Sequence, residues 1–134
     1  MTPNVYPLIL ASTAPWRAEL LRTKFRDFET MAPPYDESFP VELKPSELAL
    51  KHAAGKARAS AALRPNAYIL AADQTAEFAG LCLQKPVDLA GCASQLRKLQ
   101  GDTHYLHSAV ALYSPAQGEI KTRIITVTLT MKVL

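Results

Sequence analysis

The stretch LILASTAPWRAELL, residues 8–21, holds a strand pattern and a helix pattern in direct succession. Its first residues are apolar and predict a buried strand, and Pro15 stands where the first position of a helix tolerates proline. The turn between them carries Ser12 and Thr13, and Arg17 follows inside the helix. Because a helix N-terminus presents free backbone N–H groups, this turn is a candidate phosphate site. The alternative, which the turn alone favours, is a hydroxyl that caps the helix beside a solvated Arg17.

The composition is typical of one globular domain with its own core. The chain has 134 residues, of which 49% are hydrophobic and 20% charged. Its formal charge of +3 comes from scattered basic residues, which favours a small anionic ligand over nucleic acid. No apolar run approaches the ~20 residues of a bilayer crossing, so we expect a cytoplasmic protein without a membrane partner. Cys82 and Cys92 lie too far apart for a CxxC site and are expected to be reduced core thiols.

The remaining pattern predicts a mixed α/β domain. The predicted elements after the first strand are a helix at 15–24, a strand at 25–31, a proline-rich loop at 32–45, a helix at 46–63, a strand at 67–72, a hairpin turn at 79–80, a third helix, and two long strands joined at 114–118. Ser46 and Asp88 are the expected N-caps of the second and third helices, and Gly101 stops the third. Apolar and polar residues alternate along the last strand as far as Leu134, so we expect the chain to stop inside an element.

Acidic residues follow two of these elements. Asp73 comes at the expected carboxyl end of the 67–72 strand, where open α/β sheets place ligand chemistry, and is a candidate general base or metal ligand. An Asx-turn is the alternative for Asp73, and Gln74 could serve that turn or a ligand edge. Asp36 and Glu37 in the proline-rich loop could hold Mg²⁺ together with phosphate oxygens, although solvated loop acids are commoner.

Two lysines and two histidines complete the candidates. Lys56 and Lys85 could bind a polyphosphate through their positive charges. The alternative is that both are solvated lysines on the protein surface. His104 and His107 are three residues apart in an expected strand and therefore face opposite sides of the sheet. A metal site shared by the two histidines is not expected.

Several segments, in this order along the chain, resemble the Maf family of nucleotide pyrophosphatases. They are ASTAPWRAELL, YDES, HAAGKARA, AADQ, LQKPVDLAGCASQLRKLQGDTH and SAVALY. The resemblance spans essentially the whole chain. It implies a mixed α/β sheet flanked by helices in an ITPase-like fold. It also implies hydrolysis of a nucleoside triphosphate to its monophosphate and pyrophosphate with a divalent metal, Mg²⁺ or Mn²⁺.

The resemblance also implies roles for individual residues. Asp73 takes the place of the catalytic acid and, with Glu37, of a metal ligand. The positions implied to bind the substrate are Ser12, Trp16, Arg17, Lys56, Gln74 and Lys85. The physical reading agrees, because attack on phosphorus needs charge neutralisation and a positioned water more than covalent chemistry.

With Trp16 and Gln74 at these two positions, the sequence resembles the branch of the family that acts on 7-methyl-GTP. The branch that prefers dTTP and UTP usually has Arg and Thr at these two positions. A methylated guanine carries a ring charge, and a cation on an indole face gains roughly 0.5–2 kcal/mol. The rival interpretations are a dTTP/UTP-type pyrophosphatase and a nucleotide-binding or interaction protein that has lost turnover.

The chain departs from the family pattern at three places. Ala14 stands where a second serine is usual, and Gly55 replaces the acid that commonly precedes the helix lysine. The family's glycine-rich C-terminal segment is not present. We therefore expect residues 1–134 to be a single Maf-like domain, incomplete at its C-terminus and weakly active at best. A homodimer remains open as its oligomeric state.

Overall fold

The computed structural model describes residues 5–37 and 43–133, which form a mixed α/β domain. The elements are β1 (Leu8–Ala11), α1 (Pro15–Arg22), β2 (Glu29–Met31), α2 (Pro45–Leu63), β3 (Tyr68–Phe78), β4 (Leu81–Cys82), α3 (Leu89–Leu99), β5 (Thr103–Ser114) and β6 (Glu119–Thr130). Residues 38–42 of the expected proline-rich loop, and Leu134, lie outside the described residues. No helix in the described ranges is both long and apolar enough to cross a bilayer.

The sheet has the strand order β2-β1-β3-β5-β6, and β4 pairs with β3. Strand β1 runs parallel to both β2 and β3, whereas β3 is antiparallel to β5 and β5 to β6. The parallel pairing sets Leu10, near the carboxyl end of β1, opposite Leu70 in the first half of β3. The turn that follows β1 therefore lies next to the middle of β3.

Helix α2 packs on one face of this sheet through small side chains. Ala49, Ala53 and Ala57 are fully buried against the sheet residues Ala71 and Ala109, which are buried as well. Small residues on both sides allow the helix and the strands to approach closely. As a result, polar side chains at the edge of this interface meet each other within hydrogen-bond distance.

Strand β3 is longer than the sequence pattern predicted. It continues through Asp73 to Phe78, and Asp73 pairs with Ala109 instead of ending the strand. The expected strand end at Asp73, and the Asx-turn alternative with it, are therefore wrong. The polar segment stays in the sheet because its backbone pairs with β5 as far as Glu77, and tertiary pairing outweighs the weak strand preference of Asp, Gln and Glu.

The expected N-cap of α2 is also wrong. The helix begins at Pro45, its N-cap is Lys44, and no side chain caps it. Proline is already set for the first helical position, so the helix starts one residue before Ser46. The buried hydroxyl of Thr75 donates to the Pro45 carbonyl at 2.7 Å and fixes this helix start on β3.

The other local signals are largely confirmed. Asp88 caps α3 by accepting a hydrogen bond from the Gly91 amide at 2.7 Å, and Gly101 follows α3 with a φ of +70°. The hairpin turn at 79–80 has positive φ at both residues. Cys82 is partly buried but Cys92 is exposed, so the expectation of core thiols is wrong for Cys92, which lies on α3 away from the core.

The alternation of the last strand places apolar residues on a surface that stays exposed. The described strand ends at Thr130, and only Ile120 and Ile124 of β6 pack against the core under α2. Ile125 and Val127 point to the opposite face and are 68% and 45% exposed. An alternation of apolar and polar residues predicts a strand, but it does not show which face of that strand another element covers.

Candidate active site

All eight residues expected to form the site line one cleft of about 540 Å³, referred to below as the polar cleft. They come from the β1–α1 turn, α1, the loop after β2, α2, β3 and the segment before α3. The eight residues are Ser12, Trp16, Arg17, Glu37, Lys56, Asp73, Gln74 and Lys85. Asp36, the neighbour of Glu37, does not line it and is exposed, so its side chain is not brought to the site.

Lys56 contacts two acidic residues of the polar cleft. Its Nζ lies 2.8 Å from Glu37 Oε1 and 3.2 Å from Asp73 Oδ1. It also donates to the Ala72 carbonyl at 3.4 Å. The side chain is only 10% exposed, so the expectation of a solvated surface lysine is excluded. One buried ammonium thus holds two carboxylates from different elements at a single point.

The two carboxylates have different proton affinities. Burial raises the pKa of Asp73, and the charge and hydrogen bond of Lys56 offset only part of this rise. The pKa of Glu37 is lowered, chiefly by its hydrogen bond from Lys56. A pair of acids whose pKa values are pushed in opposite directions is typical of sites where one acid handles a proton and the other stays charged.

The β1–α1 turn lines the same cleft. Ser12 is buried, and its Oγ accepts hydrogen bonds from the Ala14 amide at 3.1 Å and from Arg17 Nη1 at 3.4 Å. The N-cap of α1 is Ala14, which has no side-chain cap, so neither Ser12 nor Thr13 is the capping residue. The turn therefore joins a hydroxyl, a guanidinium and the start of a helix at the mouth of the cleft.

Gln74 and Trp16 are candidates for contact with the base of a nucleotide. Because side chains alternate along β3, Asp73 points toward α2 while Gln74 points to the opposite face, where it donates to Ser108 Oγ at 3.2 Å. Trp16 is 55% exposed, and the Arg17 guanidinium lies 5.0 Å from the centre of its ring. One face of the indole is thus already occupied by a cation of the protein itself.

A second, largely apolar pocket of about 480 Å³ adjoins the polar cleft. Four residues line both cavities: Trp16, Arg17, Asp73 and Gln74. The walls that only the second pocket has include Leu10, Leu20, Leu70 and Val110. The sequence pattern did not predict this pocket, because its walls come from elements that meet only in the folded sheet.

Sequence reasoning also missed Tyr35. Its side chain lines the polar cleft, and its hydroxyl lies 3.2 Å from His52 Nδ1 on α2. Two sequence signals pointed to it, namely its place at the start of the YDES segment and the glycine at position 55 where an acid was expected.

The remaining histidines lie outside the cleft. His107 contacts Glu77 Oε1 at 2.9 Å and Thr126 Oγ1 at 2.8 Å, on the opposite face of β5 from His104. The expectation that the two histidines face opposite sides of the sheet is confirmed. Within the described ranges, no three His, Cys, Asp or Glu residues are clustered for metal binding.

Two solved structures resemble this fold. The Ham1 protein of Staphylococcus aureus superposes with a TM-score of 0.61 over 92% of this chain and 71% of that protein, at 18% identity. A HAM1 protein from Coxiella burnetii gives a TM-score of 0.58 over 94% of this chain and 73% of that protein, at 14% identity. At these identities the likeness concerns the fold alone. The expected ITPase-like α/β fold is confirmed.

The amino-acid sequence resembles curated bacterial proteins named 7-methyl-GTP pyrophosphatase. That of Syntrophotalea carbinolica is 36% identical over 95% of this chain and 65% of its own length. That of Albidiferax ferrireducens is 40% identical over 83% of this chain and 56% of its own length. The chain spans between 56% and 65% of the length of five such relatives. The profile of the Maf-like protein family matches residues 7–134, and the chain therefore belongs to that family.

Proposed function

We propose that this chain carries the catalytic cleft of a nucleoside triphosphate pyrophosphatase whose substrate is 7-methyl-GTP. The observation that carries the proposal is the contact of Lys56 with both Glu37 and Asp73 inside a cleft that the β1–α1 turn also lines. The names of the curated relatives support the choice of substrate. The products are 7-methyl-GMP and pyrophosphate.

The triphosphate lies, in this proposal, between the β1–α1 turn and Lys85. Ser12, the Trp16 amide in the first turn of α1 and the Arg17 guanidinium donate hydrogen bonds to phosphate oxygens. Lys85 also lines the polar cleft and adds a second positive charge. These groups neutralise the charge that repels an attacking water.

Glu37 and Asp73 would hold a divalent cation, Mg²⁺ or Mn²⁺. Two carboxylates completed by phosphate oxygens and water form the hard-oxygen donor set that Mg²⁺ prefers, and their contact with one ammonium shows that both reach the same point. When bound, the cation supplies further neutralisation of the phosphate charge. Lys56 keeps the two carboxylates together.

Asp73 acts as the general base. Its carboxylate takes a proton from the attacking water as the new bond between oxygen and the α phosphorus forms. The bond from the α phosphorus to the bridging oxygen breaks, and pyrophosphate leaves with that electron pair. Burial raises the pKa of Asp73, which makes it a better proton acceptor than a solvated carboxylate.

The base of the nucleotide lies in the apolar pocket beside the cleft. Trp16 and Gln74 line both cavities, so they stand where a phosphate held in one cavity connects to a base held in the other. The indole offers a face to the charged methylated ring, and the Gln74 amide offers hydrogen bonds to the base edge.

The test is pyrophosphate release from 7-methyl-GTP with Mg²⁺, for the chain and for Asp73→Asn. We expect Asp73→Asn to lower the rate by ~10²–10⁴, because it removes the general base. Nucleotide affinity measured without Mg²⁺ should stay within about threefold, because Asp73 contacts the nucleotide only through the cation. Asp102→Asn is the matched control, since the Asp102 carboxylate does not line the cleft and accepts a hydrogen bond from the adjacent Thr103 amide. Near-normal turnover in Asp73→Asn would contradict the role of Asp73. Saturable nucleotide binding without pyrophosphate release by the unmodified chain would instead favour a binding protein.

A further inference from the structure

Tyr35 is held against α2 in two ways. Its hydroxyl lies 3.2 Å from His52 Nδ1, and the two rings meet edge to face with centres 5.7 Å apart. Its ring also fills the space in which a side chain at Gly55 would begin. A Cβ built at Gly55 would overlap the ring and lie 2.8 Å from the hydroxyl oxygen. Burial and the nearby Glu37 and Asp73 raise the pKa of the phenol, so the hydroxyl keeps its proton.

The residues that receive Tyr35 share a helix face with Lys56. His52, Gly55 and Lys56 are three and four residues apart on α2 and therefore lie side by side. The loop after β2 contacts this face twice, through Tyr35 at His52 and Gly55, and through Glu37 at Lys56. The two anchoring residues of the loop are separated by a single position.

The second anchor is weak on its own. The Glu37 side chain is 56% exposed, so water screens its ion pair with Lys56. The pair holds the carboxylate at Lys56 but contributes little to the position of the rest of the loop. The aromatic anchor is different, because the Tyr35 ring is seated on a buried helix face that leaves it little freedom. The position of the Glu37 carboxylate therefore depends on Tyr35.

We propose that Tyr35 is a positioning residue, whose ring on Gly55 and hydroxyl at His52 keep the Glu37 carboxylate at Lys56 and Asp73, where a divalent cation is bound. The inference rests on the proposed function for the role of that cation. It explains why this chain has glycine at position 55, where the family resemblance predicts an acid. A larger residue there would displace the ring and the loop with it.

The experiment is a double-variant cycle with Tyr35→Val, Gly55→Ala and the two together. The first readout is the affinity for Mn²⁺, measured by calorimetry in the presence of an α,β-methylene analogue of 7-methyl-GTP. We expect each single variant to weaken Mn²⁺ binding by ~10-fold, as is typical when a group that orients a metal ligand is lost. The double variant should equal Tyr35→Val alone, because an alanine at position 55 has nothing to displace once the ring is gone.

Two further variants separate the ring from the hydroxyl. Tyr35→Phe keeps the ring on Gly55 and should weaken Mn²⁺ binding by no more than ~3-fold. Tyr113→Phe is the matched control, since it removes a tyrosine hydroxyl that donates to the Pro65 carbonyl far from the cleft, and should change nothing. If Tyr35 instead contacts the nucleotide directly, Tyr35→Phe would weaken binding of the analogue and leave Mn²⁺ affinity unchanged, which would overturn the proposal.

A readout that needs neither metal nor turnover keeps the inference separate from the proposed function. Hydrogen–deuterium exchange of residues 32–37 should rise by ~10-fold or more in Tyr35→Val and Gly55→Ala, because the loop loses its anchor. Exchange within α2 should stay near that of the unmodified chain, which excludes general unfolding. Unchanged exchange of the loop, or an equal cost of Gly55→Ala with and without Tyr35, would overturn the positioning role. Absence of pyrophosphate release from every variant would contradict the proposed function alone.

Discussion

Lys56 carries a positive charge that α2 and β3 together remove from water. A buried ammonium is costly unless it is paired, and here Glu37, Asp73 and the Ala72 carbonyl all contact its Nζ. Lys56 in turn affects Asp73, because the charge of Lys56 partly offsets the rise in the pKa of Asp73 that burial causes. The proton affinity of the proposed base is therefore a balance between burial, which raises the pKa of Asp73, and Lys56, which lowers it.

Replacing Lys56 by methionine should move the acidic limb of the pH profile. Asp73 must be deprotonated to act as a base, so kcat/KM falls as the pH drops through its pKa. Without Lys56 the lowering effect disappears while burial remains, so the pKa of Asp73 rises and the limb moves to higher pH. The measurement is the pH dependence of pyrophosphate release for both proteins, with Lys121→Met, an exposed lysine of β6, as the control. An unchanged limb in Lys56→Met would mean that another group sets it.

Trp16→Arg should reduce kcat/KM for 7-methyl-GTP more than for GTP. The indole attracts the ring charge that only the methylated base carries, and roughly 0.5–2 kcal/mol corresponds to about a 2- to 30-fold difference in loss. Since Arg17 already covers one ring face, the base must use the other. Trp16→Phe keeps an aromatic face and should retain part of the preference. Equal losses for both nucleotides would show that Trp16 only packs.

At the scale of the elements, the two expected helix caps allow a direct comparison. Asp88 accepts a hydrogen bond from the Gly91 amide, whereas Ser46 lies inside α2 after Pro45 and caps nothing. Asp88→Ala should therefore lower the free energy of unfolding by ~1 kcal/mol. Ser46→Ala should change it by less than about 0.5 kcal/mol. Urea unfolding followed by circular dichroism measures both, and a cost at Ser46 equal to that at Asp88 would contradict the observed helix start.

Signals that act over a few residues predicted most of these elements. The strand and helix at 8–21, the cap at Asp88 and the stop at Gly101 depend on local chemistry and are found where the sequence indicates them. The end of β3 is different, because its second half is held by pairing with β5, more than thirty residues away in the register Gln74↔Ser108. Local propensity at Asp73 says nothing about that partner.

The candidate site was predictable to a similar extent. Ser12, Lys56 and Asp73 could be proposed from their residue types and from the family resemblance, and the fold brings them into one cleft. The packing of the Tyr35 ring on Gly55 could not be predicted, because it depends on how closely a loop approaches a helix. The exposure of Ile125 likewise depends on which face of the sheet α2 covers.

At the scale of the whole molecule, the polar cleft connects segments that are distant in sequence. Its residues run from Ser12 in the β1–α1 turn to Lys85 before α3, and they include both α2 and the middle of β3. A ligand that contacts all of these segments binds only when they are assembled. Ligand binding and global folding are therefore linked.

This linkage predicts that an α,β-methylene analogue of 7-methyl-GTP with Mg²⁺ raises the unfolding temperature of the chain. At a hundred times its Kd, a ligand that binds only the folded state adds about 2.7 kcal/mol to the free energy of unfolding, or roughly 10 °C for a domain of this size. With EDTA in place of Mg²⁺, the rise should be much smaller, because Glu37 and Asp73 then repel the phosphates. Differential scanning calorimetry of the chain and of Arg17→Ala would measure both effects, and Arg17→Ala should reduce the rise at a fixed analogue concentration. An equal rise with EDTA would show that the nucleotide binds without the cation and would contradict the assignment of the two carboxylates as its ligands.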